Sequence, residues 1–144
     1  MPLAWINIME KDIREIVYHF GDASVPPQYH RSYTITVTPG QARVVVDSYG
    51  DVLAEKAHEI SREEFEDIVR SLSRHRIGRA ELGEDEGCTG GTTETIRYSD
   101  GVNDLFSGSV YHCGGRDSGD LGGDVRGFAD EVGKLIPGLG KLLI

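Results

Sequence analysis

Between residues 33 and 46 apolar and polar positions alternate along the chain. Tyr33, Ile35 and Val37 are interleaved with Thr34, Thr36 and Thr38; after Pro39-Gly40, Ala42, Val44 and Val46 are interleaved with Arg43 and Val45. A period of two is that of a strand, whose side chains point to opposite faces in turn. A two-residue turn at Pro39-Gly40 sets Val37 opposite Ala42, Ile35 opposite Val44 and Tyr33 opposite Val46, so one face is apolar throughout. The other face, with Thr36 beside Arg43 and Thr34 beside Val45, suits solvent.

The run IREIVYHF at residues 13–20 is rich in β-branched and aromatic residues and predicts a strand, which Gly21, Pro26 and Pro27 break into a loop. A Ser48-Tyr49-Gly50-Asp51 turn leads to a further strand over 52–58. Ser61 followed by Glu64 has the spacing of a capping box, in which each side chain satisfies an amide of the first helical turn. Phe65, Ile68, Val69 and Leu72 follow at helical spacing, with acids in the first turns and Arg70, Arg74, His75 and Arg76 in the last, and this predicts a helix over 62–75.

Residues 92–98 and the segment ending at Cys113 predict a second hairpin turning at Asp100-Gly101. With Ser99 facing Val102, that register puts Ile96 opposite Leu105, Arg97 opposite Asp104 and Cys88 opposite Cys113. A last helix over 125–136 is predicted by the stripe Val125, Phe128, Ala129, Val132, Leu135 and Ile136, and Pro137 ends it. The apolar tail 139–144 either packs on the core or covers a sheet edge. These elements predict one α+β domain over residues 1–144, an antiparallel sheet of about five strands in βββ-α-ββ-α order with helices packed on one face. Tyr33, Ile35, Val44, Val46, Phe65, Ile68, Val69, Leu72, Ile96, Leu105, Phe128 and Val132 are the expected core.

Composition narrows the function classes. The 144 residues, 38% of them hydrophobic, suffice for one core. A formal charge of -9 repels phosphate backbones and anionic lipid, so nucleic acid is not an expected partner. No stretch approaches the roughly 20 apolar residues of a membrane span, and the start MPLAWINIMEKDIREI lacks the pattern of a leader. The expectation is a cytoplasmic protein that does not enter a membrane.

The order of signals resembles a bacterial family of unknown function, found in lipoproteins and small secreted proteins. The matching residues are Tyr33-Thr34-Ile35-Thr36-Val37, Ser61-Arg62-Glu63-Glu64-Phe65 and Tyr98-Ser99-Asp100-Gly101. The resemblance covers residues 29–135. Members carry a Cys-Pro pair before the first matching strand, where this chain has Pro26-Pro27. The resemblance implies a fold and no activity.

Candidate chemistry is sparse. Opposed positions of an antiparallel pair hold Cβ atoms about 4.5–5.5 Å apart, close to disulfide geometry, so Cys88 and Cys113 are expected with Cα atoms within about 7 Å, as a bridge or as packed thiols. Zinc would need His112, Cys113 and Cys88 with a remote fourth ligand, but His112 and Cys113 are strand neighbours and face opposite ways. The Gly-rich segments CTGGTTET and CGGRDSGDLGGD lack the phosphate-loop patterns, and Asp117, Asp120 and Asp124 do not reach an EF-hand glutamate at the required position. No G-x-S-x-G elbow is present, and Ser107-Gly108-Ser109 falls inside a predicted strand. No metal, cofactor or catalytic set is expected. The cluster Arg70, Arg74, His75, Arg76 and Arg79 departs from the acidic field and offers a docking patch for an acidic partner. The reading that follows is a non-catalytic module binding a protein or small ligand; the alternative is a small enzyme using the Cys88, His112 and Cys113 neighbourhood.

Overall fold

The computed structural model describes residues 10–84 and 87–144. The leader reading rests on a start that lies outside the described residues. In chain order the elements are β1 (Glu15–Gly21), β2 (Ser32–Thr38), β3 (Gln41–Ser48), β4 (Asp51–Glu59), α1 (Arg62–Arg74), β5 (Gly78–Arg79), β6 (Thr92–Ser99), β7 (Asp104–Cys113), β8 (Arg116–Gly119), β9 (Leu121–Gly122), α2 (Val125–Gly133) and α3 (Leu139–Leu142). Seven strands form one sheet in the order β4-β3-β2-β1-β6-β7-β8, every neighbouring pair antiparallel, and β5 pairs with β9 in a small second sheet.

The α+β class holds, but the expected five strands and their order do not. Four strands precede α1, one for each of the runs over 13–20, 33–38, 42–46 and 52–58, and not the three of the expected order; residues 15–21 join the sheet at its centre, pairing with β2 on one side and β6 on the other. The extra strands β5, β8 and β9 are two to four residues long, too short to show any alternation.

In the first hairpin Tyr33 pairs with Val46, Ile35 with Val44 and Val37 with Ala42, as the alternation requires. The second hairpin departs from its expected register. Ile96 pairs with Gly108, Arg97 with Ser107 and Tyr98 with Phe106, and a shift follows before Ser99 pairs with Asp104. The cause is the turn. Asp100 folds its carboxylate over the loop, where Oδ1 accepts from the amides of Val102 (2.8 Å) and Asn103 (2.7 Å), making a four-residue connection rather than a two-residue one.

One face of the sheet carries a row of fully buried residues, Val44, Ile35, Tyr18 and Ile96, running across β3, β2, β1 and β6. Helix α1 buries Phe65, Ile68, Val69 and Leu72, and α2 buries Val125, Phe128, Ala129 and Val132; all join the same core. Of the expected core, Tyr33 and Leu105 are only half-buried, Leu105 because the shifted register hands its inward place to Phe106. The opposite face is polar: His19 meets Thr34 at 2.8 Å, Arg43 meets Glu55 at 2.5 Å and Thr95 meets Ser109 at 2.9 Å.

The capping box forms as spaced, with the Glu64 amide donating to Ser61 Oγ (3.0 Å) and the Ser61 amide to Glu64 Oε1 (2.9 Å). Helix α2 stops at Gly133, three residues short of the expected 136. The tail packs partly on the core through Leu139, Leu142 and Leu143, while Ile144 is exposed. Among the described residues no helix is long and apolar enough to cross a membrane.

Candidate functional site: a buried carboxylate beneath a cleft

Glu94 lies two residues before Ile96 on β6, so the pleat turns it to the helix-covered side. Its side chain is 3% exposed. The Tyr18 hydroxyl donates to Oε2 at 2.6 Å, and His112 Nε2 meets Oε1 at 2.8 Å. The other ring nitrogen of His112, Nδ1, meets Asp117 Oδ1 at 2.7 Å. Arg126, in the first turn of α2, brings Nη2 to 3.7 Å from Glu94 Oε1.

Carboxylates only accept, so with Glu94 and Asp117 ionised both ring nitrogens of His112 carry protons and the ring is an imidazolium. Its pKa responds accordingly. Burial pulls it down, but the hydrogen bonds to Asp117 and Glu94 outweigh that and raise it above the ordinary histidine value. Burial, and then the bond to Glu94, push the Tyr18 hydroxyl far up, so it stays a neutral donor.

Above this network opens a cleft of about 520 Å³, with Leu82, Val110, Leu121 and Val125 as apolar wall and Thr92, Glu94, His112, Asp117, Asp124 and Arg126 as its polar lining. Glycines allow the chain to build it. Gly114 and Gly115, at φ 61° and 80°, close the tight β7–β8 turn that brings Asp117 opposite His112. Gly123, at φ 102°, passes so close to the end of α1 that a Cβ there would stand 2.3 Å from the Arg76 carbonyl oxygen, and the next amide donates to the His75 carbonyl at 2.8 Å. That crossing sets the first turn of α2 over the cleft.

Cys88 and Cys113 form a disulfide with Cα atoms 6.3 Å apart. The distance is the expected one, but the route is not the continued pairing of the hairpin. Gly91 lies beside Cys113 instead, where a Cβ would come within 2.9 Å of the Cys113 Cβ, and the chain loops back from there to Cys88.

Four of the five basic residues are turned to acids of the chain. Arg74 pairs with Glu131 at 2.7 Å and with Asp67 at 3.4 Å, and His75 contacts Glu131 and, at 3.3 Å, Asp124. Burial raises the pKa of Glu131, but the bonds from His75 and Arg74 prevail and hold it below the ordinary glutamate value. Arg79 pairs with Asp120 and lies 5.0 Å over the Phe106 ring; Arg70 reaches Asp67 at 3.7 Å; Arg76 adopts φ 57° after the helix end. The aspartates of the Gly-rich segment divide their work: Asp117 holds His112, Asp120 accepts from the Ser109 amide at 2.9 Å, and Asp124 caps α2 through the Gly127 amide at 2.9 Å.

Glu94, Tyr18 and Arg126 were not among the candidates that motifs and spacing provide. Two signals in the sequence nevertheless point to Glu94 and Arg126. Glu94 is a charge at an inward position of an alternating strand. Arg126 is a cation in a first helical turn that holds no acid, against the preference of the helix dipole. No protein-family model, curated protein or solved structure matches this chain.

Proposed function

We propose that the chain is a non-catalytic ligand-binding module whose site is the cleft over Glu94. The observation that carries this is the Glu94 carboxylate, 3% exposed at the floor of a cleft of ligand size. Sequestering a carboxylate costs several kcal/mol before partners offset it, and an apolar residue in its place among Tyr18, Ile96 and Val110 would serve the core at least as well. Polar and charged groups that converge on an otherwise apolar cleft are the usual mark of a binding site.

The geometry supports binding over catalysis. Both nitrogens of His112 hold protons toward carboxylates, which leaves no lone pair to act as a base. The two sulfurs are bonded to each other, so neither serves as a nucleophile in this form. The bridge also favours an oxidising compartment over the cytoplasm expected from the sequence, and alkylation of unreduced protein tests it.

A protein-interaction reading rests on a separate observation. The edge strand β4 leaves nine residues open along one side, with Val52 and Leu53 exposed, as strand addition would require. Glu55, Lys56 and Glu59 on the same strand blunt that edge, which ranks the cleft first. Nuclear magnetic resonance of ¹⁵N-labelled protein with a panel of small fragments tests the cleft: shifts are expected at the amides of Glu94, Val110, His112, Leu121 and Val125. Shifts confined to β4, or to no cleft residue, would overturn it.

A further inference from the structure

Resting on the reading of the cleft as a binding site, we infer that it takes a small organic cation, a primary amine or guanidine on an apolar stem, whose charged head displaces Arg126 from Glu94.

The first argument is unused acceptor capacity. A carboxylate has about four lone-pair positions. Glu94 fills two, with Tyr18 and His112, and Arg126 at 3.7 Å lies beyond hydrogen-bond distance. The buried acid therefore keeps acceptor positions for a donor that approaches closer than Arg126 does.

The second argument concerns Arg126 itself. Its side chain is 63% exposed and its helix dipole opposes it, so swinging it into solvent costs little. With Arg126 gone, Glu94 and Asp117 face His112 as the one cation left among the cleft's described lining residues, Asp124 being turned to His75 at 3.3 Å and to the α2 cap, and a ligand cation restores the balance. The chain's charge of -9 concentrates cations at its surface. A carboxylate ligand meets the reverse: it would have to dock on Arg126 with Glu94 beneath it and two aspartates beside it. The wall of Leu82, Val110, Leu121 and Val125 accepts an aliphatic or aromatic stem and gives no reason for a second charge.

The test titrates the labelled 144-residue chain with n-butylamine, n-butylguanidine, n-butanol and butyrate, reading amide shifts at Glu94, Val110 and His112. The two cations are expected to bind and the alcohol and the acid to bind at least about tenfold more weakly, the worth of a charge-assisted hydrogen bond. Glu94→Gln, whose fold is checked by the dispersion of the same spectrum, should lose the amines by a similar factor. Arg126→Gln should strengthen them, since it removes their competitor without touching the core. If butyrate binds best and Arg126→Gln weakens it, the cation class is overturned while the cleft stands. Equal binding of butanol and butylamine likewise overturns the class and leaves the cleft. If no probe moves a cleft resonance, both fall.

Discussion

The hairpins β2–β3 and β6–β7 sit in one sheet, yet they are built on different terms. In β2–β3 the inward positions Ile35, Val37, Ala42, Val44 and Val46 are all apolar and buried. A slip of one residue would turn that whole set to solvent, so the pairing has a single solution. In β6–β7 the inward positions include Glu94, Gly108 and His112 beside Ile96, Tyr98, Phe106 and Val110. A mixed row penalises a slip far less, and the turn and the disulfide take over the task of fixing the chain. The regular hairpin holds the fold together; the irregular one gives up packing to hold a carboxylate and a cleft, which is where local rules are expected to fail.

Core truncation should give the largest effect and should fall on the regular side. Ile35→Ala is expected to cost about 2–5 kcal/mol in urea unfolding, the range for a fully buried aliphatic chain. A cost under about 1 kcal/mol would mean that the β1–β3 row is not the core.

Next comes the irregular side's own fastening. Replacing both cysteines by serine should cost about 3 kcal/mol, as expected for a cross-link spanning 25 residues. Native-state hydrogen exchange should show the extra opening in β6, β7 and β8 while β2 and β3 stay protected. Equal loss of protection in both hairpins would erase the contrast between them.

A pair of glycines sharpens the comparison at smaller scale. At Gly91, beside the bridge, a Cβ would stand 2.2 Å from the His112 carbonyl oxygen, so Gly91→Ala should lose about 1–3 kcal/mol. At Gly40, in the β2–β3 turn, a Cβ meets nothing within 4 Å, and Gly40→Ala should stay within about 0.5 kcal/mol. Thermal unfolding of the two variants reads the difference directly, and similar losses would break it.

What was legible in the sequence follows the same division. The alternation over 33–46 and the Ser61/Glu64 capping box are local patterns whose geometry is set within a few residues, and both fold as spaced. The β6–β7 register was not legible, because a side chain, the Asp100 carboxylate, lengthens the turn, and periodicity does not record that. The site was legible only in part. Glu94 betrays itself as a charge in line with Ile96 and Tyr98, but Asp117 and Arg126 arrive through turns at Gly114, Gly115 and Gly123, whose positive φ no hydrophobic pattern encodes. The Cys88–Cys113 proximity was expected for a register that the chain does not adopt, so a correct distance came from an incorrect path.

The smallest expected effect is the pH dependence that His112 lends to the irregular half. Its folded pKa is raised above the ordinary value of 6.5 by Asp117 and Glu94, against burial. The folded state therefore binds the proton more tightly than the unfolded chain does. The stabilisation is fully present below about pH 6.5 and is lost as pH rises through the folded value. The ring is 35% exposed, so solvent screening holds the effect to about 1 kcal/mol or less. Urea unfolding at about pH 6 and about pH 8.5 should show stability falling between the two. Asp117→Asn removes one of the two acids that hold the imidazolium and should flatten that fall, while the same measurement on Ser61→Ala, which cuts the cap of α1 at a cost of about 1 kcal/mol, should shift stability equally at both pH values. If Asp117→Asn keeps the wild-type fall unchanged, the proton is not held between Asp117 and Glu94, and the imidazolium assigned to the cleft is wrong.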